Sequence, residues 1–308
     1  MTNGTPGSKP TKNEKRLAAR EKAQQARLEQ KKKERRNRLL LQVGIVVGIL
    51  AVAGATVFGI MAAIPKTSSG PRNMLSDGIR IGADFVAETT PGLRPGAEPV
   101  ALQPSEDPDV VDIVMYVDYF CPACRVFEEA NEEQIATWVE SGAATLEVHP
   151  VAFLDRFSLG TQYSTRAANA AACVANYSPD RYFDFHSILF AEQPAENTTG
   201  LKNEELVDLA KQAGVTSPGK VEQCINDVQF KKWVNAATAR AFEGPLPNAD
   251  LDAISRTPTV IVDGTAYPGE DLSSASDFAR FVSTASGNAF SDELKASPSP
   301  SPSPAPAG

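Results

Sequence analysis

Histidine is scarce in this chain: His149 and His186 are the only two among 308 residues. The low histidine count argues against a histidine-based metal site and against a Ser-His-Asp catalytic set. The sequence also shows no phosphate-binding loop and no zinc-ligand pattern. His149 falls in a predicted strand and His186 in a predicted amphipathic helix. We expect structural rather than catalytic roles for both, so the chemistry must be sought in other residues.

Charge is absent from residues 39–64, a run of 26 positions. At about 1.5 Å per residue, a helix of that length spans a hydrocarbon core of about 30 Å. A cleaved signal peptide is the alternative, but the run is too long for its apolar region, and residues 62–65 make a poor cleavage site. We predict one transmembrane helix that acts as a signal anchor.

Residues 1–38 carry 13 Lys/Arg and 4 Asp/Glu, whereas the whole chain has a net charge of −8. The basic run at 31–38 could contact nucleic acid, but its position directly before the apolar run favours a membrane flank that stays in the cytoplasm. We therefore expect a disordered cytoplasmic head and no nucleic-acid partner. The same rule places everything after Pro65 outside the cytoplasm, on a single-pass protein of the cell membrane.

Cysteine is also sparse, and all four cysteines lie beyond the apolar run, where disulfides form and persist. An even count suggests two pairs, Cys121–Cys124 and, by elimination, Cys173–Cys224. The second pair would close a loop of roughly 50 residues, to which the entropic model assigns about 4 kcal/mol. A four-cysteine zinc site is the competing interpretation, but such sites usually need two closely spaced pairs. We expect no metal.

The most informative stretch is Phe120-Cys121-Pro122-Ala123-Cys124. It lies between an apolar run at 110–117, predicted to be a buried strand, and a predicted helix over 125–140. A C-x-x-C pair at such a junction is typical of a thiol-disulfide redox site, because one helical turn puts both sulfurs on the same side. The N-terminus of the helix stabilises a thiolate on the first cysteine. The reactive group would be the Cys121–Cys124 disulfide itself, with no separate cofactor.

The chain on either side of the motif predicts an α/β domain with a helical insert. A second strand at 144–153 completes a β-α-β unit, and residues 161–243 are alanine-rich with helical spacing. Strand character returns at 257–264 and 265–267, joined by a hairpin turn at Asp263-Gly264. Ser273 or Ser274 would cap a last helix through about Val282.

The flanking segments are poor in apolar periodicity. Residues 65–108 are rich in Pro, Gly and Ser and are predicted to be mainly a linker, with an alternating stretch at 78–85 that would add a strand. Residues 287–308 are predicted to be a disordered tail that ends in Ser-Pro repeats. The domain is thus expected over 109–286, with its insert at about 161–245. Within the first helix, Glu128 and Glu129 are predicted to lie on a solvated face.

This order of elements resembles the DsbA family, thioredoxin-fold thiol-disulfide oxidoreductases of the bacterial envelope that carry a helical insertion. The resemblance covers about residues 108–286 and depends on three stretches: 121–129 with the cysteine motif, 182–190 in the insert, and 257–264 with Thr257-Pro258 before a strand. The membrane-anchored form with a second cysteine pair is similar to actinobacterial members.

The resemblance implies roles for named residues and partners. Cys121 would be the nucleophile and Cys124 its buried partner, and Pro258 would be cis, with Thr257 and Phe120 beside the substrate. The substrates would be reduced exported proteins. A quinone-linked membrane protein of the DsbB or vitamin-K-epoxide-reductase-like kind would re-oxidise the enzyme. A reductase or isomerase of the same compartment, or a thioredoxin-like binding module with an inert cysteine pair, are the alternatives.

The sequence departs from the family pattern at the position of a buried acid. Family members commonly carry this acid six residues before the first cysteine, where it assists proton transfer, and here that position is Met115. The nearest carboxylate is Asp118. On strand alternation Asp118 would share a face with Tyr116 and Phe120, so it is not expected to replace the missing acid.

A second departure concerns the dipeptide between the cysteines. The strongly oxidising family members have histidine as its second residue, and here that residue is Ala123. One stabiliser of the Cys121 thiolate is therefore absent. We expect the pKa of Cys121 to lie below that of free cysteine without reaching the family's extreme.

Overall fold

The structure is a computed structural model that describes residues 69–296, with side chains through residue 287. The predicted basic head and apolar span at 1–64 lie outside the described residues, as do the Ser-Pro repeats. Among the residues that are described, no helix is both long enough and apolar enough to cross a membrane.

In the described part of the chain, five strands form one mixed sheet in the order β1-β3-β2-β4-β5. The central strands β2 and β3 are parallel, as the predicted β-α-β unit requires, and the other neighbours are antiparallel. The strands are β1 Ile79–Ile81, β2 Val111–Val117, β3 Ala144–Pro150, β4 Thr259–Val262 and β5 Thr265–Ala266.

Seven α-helices lie within the same described range. The first connects β2 to β3, the next five form the predicted helical insert between β3 and β4, and the last follows β5. The helices are α1 Pro122–Glu140, α2 Tyr163–Tyr177, α3 Tyr182–Ala191, α4 Asn203–Gln212, α5 Pro218–Asn226, α6 Lys231–Glu243 and α7 Ala275–Ala296. The predicted thioredoxin-like order, with its insert, is confirmed.

Alternation along β2 divides the sheet into two faces. Ile113, Met115 and Val117 point into the main core together with side chains from α1, α7 and the insert. Tyr116 points to the opposite face, where it joins a smaller apolar cluster that includes Val151. Because side chains on a strand alternate, these two cores are separated by the thickness of the sheet.

Helix α2 lies at the centre of the insert, and almost all of its residues are buried. Its alanines, Ala167, Ala168 and the run at 170–172, allow neighbouring helices to approach closely. Cys173 of α2 forms a disulfide with Cys224 of α5, with a Cα–Cα distance of 5.8 Å. This is the pairing that elimination predicts, and it ties two helices of the insert together.

Part of the predicted linker at 65–108 is integrated into the domain. Met74, Ile79 and Ile81 are buried in the main core, and β1 pairs antiparallel with β3. The side chain of Asn73 donates to the carbonyl oxygen of Ala175 in α2 at 2.8 Å. The extra strand predicted within 78–85 is therefore present at Ile79–Ile81, and the residues around it, predicted to be mainly a linker, pack into the domain.

The last helix is longer than the sequence predicts. The hydroxyl of Ser274 accepts from the Asp277 N–H at 3.3 Å, which agrees with the predicted cap. The helix continues through Ala296, although an end near Val282 and a disordered tail from 287 were expected. No proline occurs between Pro268 and Pro298, so no proline forces an earlier end of the helix.

Replacing both Cys173 and Cys224 with alanine tests how much the insert disulfide stabilises the domain. The two cysteines are 51 residues apart, so the loop-entropy model predicts a loss of about 4 kcal/mol, with losses of about 2–5 kcal/mol typical for small domains. Chemical denaturation of both proteins measures the difference. The rate of Cys121 alkylation should stay unchanged, because neither alanine touches the C-x-x-C motif; a changed rate would contradict a purely stabilising role.

Candidate active site

The cysteine motif lies where β2 ends and α1 begins. The turn is closed by a hydrogen bond from the Cys121 N–H to the carbonyl oxygen of Asp118 at 2.9 Å. Cys121 is the N-cap of α1, and Pro122 occupies the first helical position, where its missing N–H is not needed. Both motif cysteines are free thiols; Cys121 is 6% exposed and Cys124 fully buried. Of the two motif sulfurs, the one at the helix N-terminus is thus the one with access to solvent.

The second half of the site comes from the loop before β4. The Thr257-Pro258 peptide bond is cis, as predicted. The Cys121 thiol donates to the carbonyl oxygen of Thr257 at 3.3 Å, across 136 residues of sequence. The fold therefore places the backbone of the loop before β4 directly against the Cys121 sulfur.

The environment of Cys121 lowers its pKa to about 6. The largest cause is a hydrogen bond from the Cys124 thiol, and further hydrogen bonds come from the side chain of Thr257 and from the backbone N–H groups of Ala123 and Cys124, while burial acts in the opposite direction. Helix N-terminal N–H groups stabilise anions in this way. Activation therefore survives the absence of a histidine at position 123.

Cys124 has the opposite character. Burial, followed by its interactions with Cys121, raises the pKa of Cys124 well above the ordinary thiol value. A buried thiol without a compensating cation stays protonated, because the charged form is poorly solvated. The two sulfurs are thus electrostatically distinct: one is a thiolate near neutral pH and the other is a thiol that donates to it.

Asp118 is a functional candidate that strand alternation missed. Its side chain is fully buried and accepts hydrogen bonds from the N–H groups of Phe120, Phe153 and Leu154 at 2.8–2.9 Å. Burial raises the pKa of Asp118 to about 6, against the lowering effect of these bonds. Its backbone N–H and its charge both act on Cys124. A buried acid therefore lies beside the dithiol despite Met115.

The prediction that Asp118 shares a face with Tyr116 and Phe120 is wrong because β2 ends at Val117. Beyond that residue the chain turns, so the two-residue period no longer applies. Tyr116 lies in the small cluster on the opposite face of the sheet, whereas Phe120 lies in the main core with Met115. A turn signal at Asp118, whose carboxylate accepts from the N–H two residues ahead, would have revealed the change.

Phe120 does not lie where a substrate could reach it. Its side chain is fully buried, and its ring packs edge-on against Tyr163 of α2 with centroids 5.0 Å apart. The expectation that Phe120 contacts substrate is therefore wrong in this structure, because the turn before α1 directs the ring into the core. Its role is to fix the motif against the insert.

A buried polar network lies behind the dithiol. Glu128 on α1 is only 4% exposed and pairs with Nε2 of His186 at 3.0 Å, so its predicted solvated face is wrong. Its neighbour Glu129 is exposed and pairs with Arg125. Glu128 is one helical turn beyond Cys124, on the same buried face, and this i,i+4 spacing was the signal in the sequence.

The opposite face of the sheet carries a cavity of about 470 Å³, which is lined by Tyr116, His149 and Glu147 among others and by no cysteine. His149 is buried, pairs with Glu147 at 3.0 Å and stacks on Tyr116. This polar cluster is on the far side of the sheet from the dithiol. Among the described residues, no group of three or more His, Cys, Asp or Glu could hold a metal ion.

Comparison with known proteins agrees with the class that this geometry defines. A family model described as Thioredoxin matches residues 108–283, more than half of the chain, and the chain belongs to this thioredoxin family. Within it, the chain is DsbA-like. The structure of oxidised DsbA from Mycobacterium tuberculosis matches with a TM-score of 0.51 and 29% identity, covering 71% of this chain and 100% of that one.

Two sequence relatives show how far the likeness extends. Disulfide bond formation protein D of Bacillus subtilis is 27% identical over 179 residues, which cover 54% of this chain and 73% of that protein. Serine/threonine-protein kinase PknE of Mycobacterium tuberculosis is 34% identical over 160 residues, which cover 51% of this chain. The match spans only 27% of the kinase's length.

The pH dependence of Cys121 alkylation tests the activated thiolate. The rate of reaction with iodoacetamide should rise with a midpoint near pH 6, since the pKa of Cys121 is lowered to about 6. Cys124→Ala should move the midpoint upward, because it removes the strongest stabilising hydrogen bond. A wild-type midpoint at about 8.5, as in free cysteine, would contradict the assignment.

The same lowered pKa links folding to pH in the reduced protein. Because the pKa of Cys121 is lower when folded than when unfolded, its contribution to the free energy of unfolding is present above about pH 8.5. That contribution is lost as pH falls through about 6. Comparing denaturation of wild type and Cys121→Ala over this range isolates it; parallel curves for the two proteins would contradict the linkage.

Asp118→Asn tests the buried acid. The amide cannot accept three N–H bonds as the carboxylate does, so the free energy of unfolding should fall by about 1–3 kcal/mol. Removing the negative charge should also lower the pKa of Cys124. The clean comparison is between Cys121→Ala and the Asp118→Asn/Cys121→Ala double variant, with alkylation of Cys124 followed against pH. Identical profiles would show that Asp118 acts on stability alone.

Proposed function

We propose that this protein is a membrane-tethered, extracytoplasmic thiol-disulfide oxidoreductase that oxidises cysteine pairs in exported proteins. The observation that carries the proposal is the asymmetry of the dithiol beside the cis-Pro258 loop. Cys121 has a lowered pKa and meets the Thr257 carbonyl, while Cys124 has a raised pKa and is sealed in the core. Such a pair favours attack at one defined sulfur.

The exchange needs no group beyond the two cysteines and the substrate. In the oxidised enzyme, a substrate thiolate attacks Sγ of Cys121, the Cys121–Cys124 bond breaks, and a mixed disulfide forms. Cys124 leaves as a thiolate and takes up a proton, since its burial disfavours the charge. The second thiolate of the substrate then attacks the substrate sulfur of the mixed disulfide, and Cys121 leaves as a stabilised thiolate. The substrate is oxidised by two electrons and the enzyme is reduced.

Asp118 supports the proton transfer to Cys124 in this scheme. Its pKa of about 6 allows it to hold or release a proton near neutral pH, and it is buried beside the sulfur that needs one. The proposal assigns it the role that the family acid would have at position 115. Its backbone N–H also donates to Cys124, which fixes the two groups relative to each other.

An unfolded substrate would lie along the Thr257 backbone. An extended peptide pairs with an exposed backbone edge through main-chain hydrogen bonds, which do not depend on sequence. Two exposed apolar side chains belong to segments next to the motif: Val126 of α1 is 41% exposed, and Phe153, whose backbone N–H donates to Asp118, is 36% exposed and stacks on Phe242. This combination suits a chain that has exposed its cysteines before folding is complete.

Oxidation is the favoured direction because a stabilised Cys121 thiolate makes the reduced enzyme more stable relative to its disulfide. Reduction or isomerisation in the same compartment would use the same geometry. The tether at 39–64 and a quinone-linked re-oxidase of the DsbB or vitamin-K-epoxide-reductase-like kind complete the proposal. Kinase activity is not carried over from PknE, because only 27% of that protein aligns.

Oxidative refolding tests the activity. The purified full-length protein, oxidised at Cys121–Cys124, should restore activity to a reduced, unfolded test protein, and Cys121→Ala should abolish this, since the variant cannot form the Cys121–Cys124 disulfide. Insulin reduction is measured in parallel with dithiothreitol as reductant. Faster insulin reduction without oxidative refolding would assign the reductase direction instead. Motif cysteines that resist alkylation after mild reduction would favour an inert binding module.

Trapping identifies the substrates and the re-oxidant. Cys124→Ala retains the attacking sulfur but lacks the resolving one, so mixed disulfides through Cys121 should accumulate in cells. Mass spectrometry of membrane fractions should recover exported proteins and one multi-span membrane protein. A Cys121→Ala/Cys124→Ala variant controls for unspecific capture. Adducts made only of cytoplasmic proteins would contradict the proposed compartment.

A further inference from the structure

A chain of four buried polar side chains lies beside the dithiol and has no part in the exchange chemistry described above. The hydroxyl oxygens of Tyr182 and Tyr119 are 3.1 Å apart, and Tyr119 Oη is 3.0 Å from Nδ1 of His186. Nε2 of His186 is 3.0 Å from Oε1 of Glu128. None of the four residues is more than 4% exposed. We call this set the Tyr-His-Glu chain.

Two members of the Tyr-His-Glu chain are tied to the dithiol through the backbone. Tyr119 is two residues before Cys121, in the turn that ends β2, and Glu128 is four residues after Cys124 on α1. His186 belongs to α3 of the helical insert. A single imidazole therefore joins the segment that leads into the dithiol to the helix that leads out of it.

The Tyr-His-Glu chain can be satisfied with one proton on the imidazole. In the tautomer with the proton on Nε2, His186 donates to the Glu128 carboxylate and Nδ1 accepts from the Tyr119 hydroxyl. The Tyr119 and Tyr182 hydroxyls share the remaining hydrogen bond. Within the described residues, His186 is the hydrogen-bond partner of the Glu128 side chain. Loss of the imidazole would leave the buried Glu128 carboxylate without its partner and the Tyr119 hydroxyl with Tyr182 alone, and the site could restore pairing to the carboxylate only by moving α1.

The insert touches the motif at a third point close to His186. Gln193, two residues after the end of α3, donates from Nε2 to the carbonyl oxygen of Cys121 at 3.1 Å. That carbonyl also accepts the first backbone bond of α1, from the Arg125 N–H at 3.2 Å. The α3 segment thus contacts the residue before the motif, its first cysteine and the helix after it.

We propose that His186 is a positioning residue for the redox dithiol. By holding Tyr119 and Glu128 in place, it fixes the first turn of α1, whose N–H groups and Cys124 thiol stabilise charge on Cys121. The inference rests on the proposed function to the extent that the dithiol is redox-active. It assigns to the helical insert a direct part in setting the redox equilibrium, in addition to its packing.

A matched control lies on the opposite face of the sheet. His149 is also buried and also pairs through Nε2 with a buried glutamate, Glu147, at 3.0 Å. The groups that face this pair are Ser76 and Arg80, from the segment before β2, and Tyr116, whose ring stacks on His149. Tyr116 is five residues before Cys121 and lies within β2 rather than in the turn. None of these residues adjoins the cysteines in the sequence. His149→Phe therefore removes an equivalent pair without touching the turn or α1.

The test compares His186→Phe with His149→Phe in the full-length protein. Two readouts report on the dithiol: the equilibrium constant with glutathione and the pH midpoint of Cys121 alkylation. His186→Phe should raise the alkylation midpoint and shift the glutathione equilibrium about tenfold towards the disulfide, equivalent to about 30 mV. His149→Phe should lower the midpoint of chemical denaturation to a similar extent and leave both redox readouts within about twofold of wild type.

Milder variants keep the proposal testable if His186→Phe does not fold. Tyr119→Phe deletes one hydroxyl, and Glu128→Gln keeps an acceptor for Nε2–H while removing the charge. Tyr119→Phe should move both readouts in the same direction as His186→Phe by a smaller factor. His186→Gln can still donate towards Glu128 and should recover part of the shift, which a residue that only filled space would not allow.

Three results would overturn the proposal. His186→Phe could lower stability with both redox readouts unchanged, His149→Phe could move them equally, or Tyr119→Phe could leave them at the wild-type values. Failure of the proposed function is a separate result. If the wild-type protein oxidises no protein substrate, the glutathione equilibrium and the alkylation profile still compare His186→Phe with wild type.

Discussion

The stabilisation of negative charge on one sulfur is the interaction on which this structure depends. The charge on Cys121 is held by the thiol of Cys124, by Thr257 and by the first N–H groups of α1. Each of these belongs to a different constraint: the burial of Cys124, the position of the β4 loop, and the point at which β2 gives way to a helix. The β2-α1-β3 unit, the β4–β5 hairpin and the helical insert together hold these groups around Cys121.

Much of the fold could be predicted from the sequence because its signals are local. The apolar run of β2, the proline at the start of α1 and the alanine-rich helices each carry their own periodicity, and the observed bounds agree to within a few residues. The packing of the N-terminal segment and the end of the last helix were predicted poorly, because no local signal in the sequence marks them. β1 is a three-residue strand that exists through its pairing with β3, and α7 continues where composition alone suggested a disordered end.

The residues of the candidate site also fall into those that the sequence predicts and those that it does not. The C-x-x-C spacing and the Thr-Pro dipeptide are chemical signatures, so the two sulfurs and the cis bond could be found in advance. Asp118 and Phe120 could not be placed, because they lie between β2 and α1, where strand alternation and helical spacing no longer apply. Glu128 lies well inside α1, and its i,i+4 spacing from Cys124 was a signal that its acidic neighbours obscured. Contacts from the insert, such as that of His186, arise only after folding.

The edges of the sheet have a consequence for a protein that would meet unfolded chains. Unpaired strand edges act as templates on which other polypeptides can add and aggregate. Here both edge strands are very short: β1 has three residues and β5 has two. Few backbone groups are therefore available for unselective pairing. Under the proposed function, an extended substrate would bind the backbone at Thr257, beside the reactive sulfur, so binding and disulfide exchange would occur at the same place. The short sheet edges would at the same time give substrates little backbone on which to aggregate.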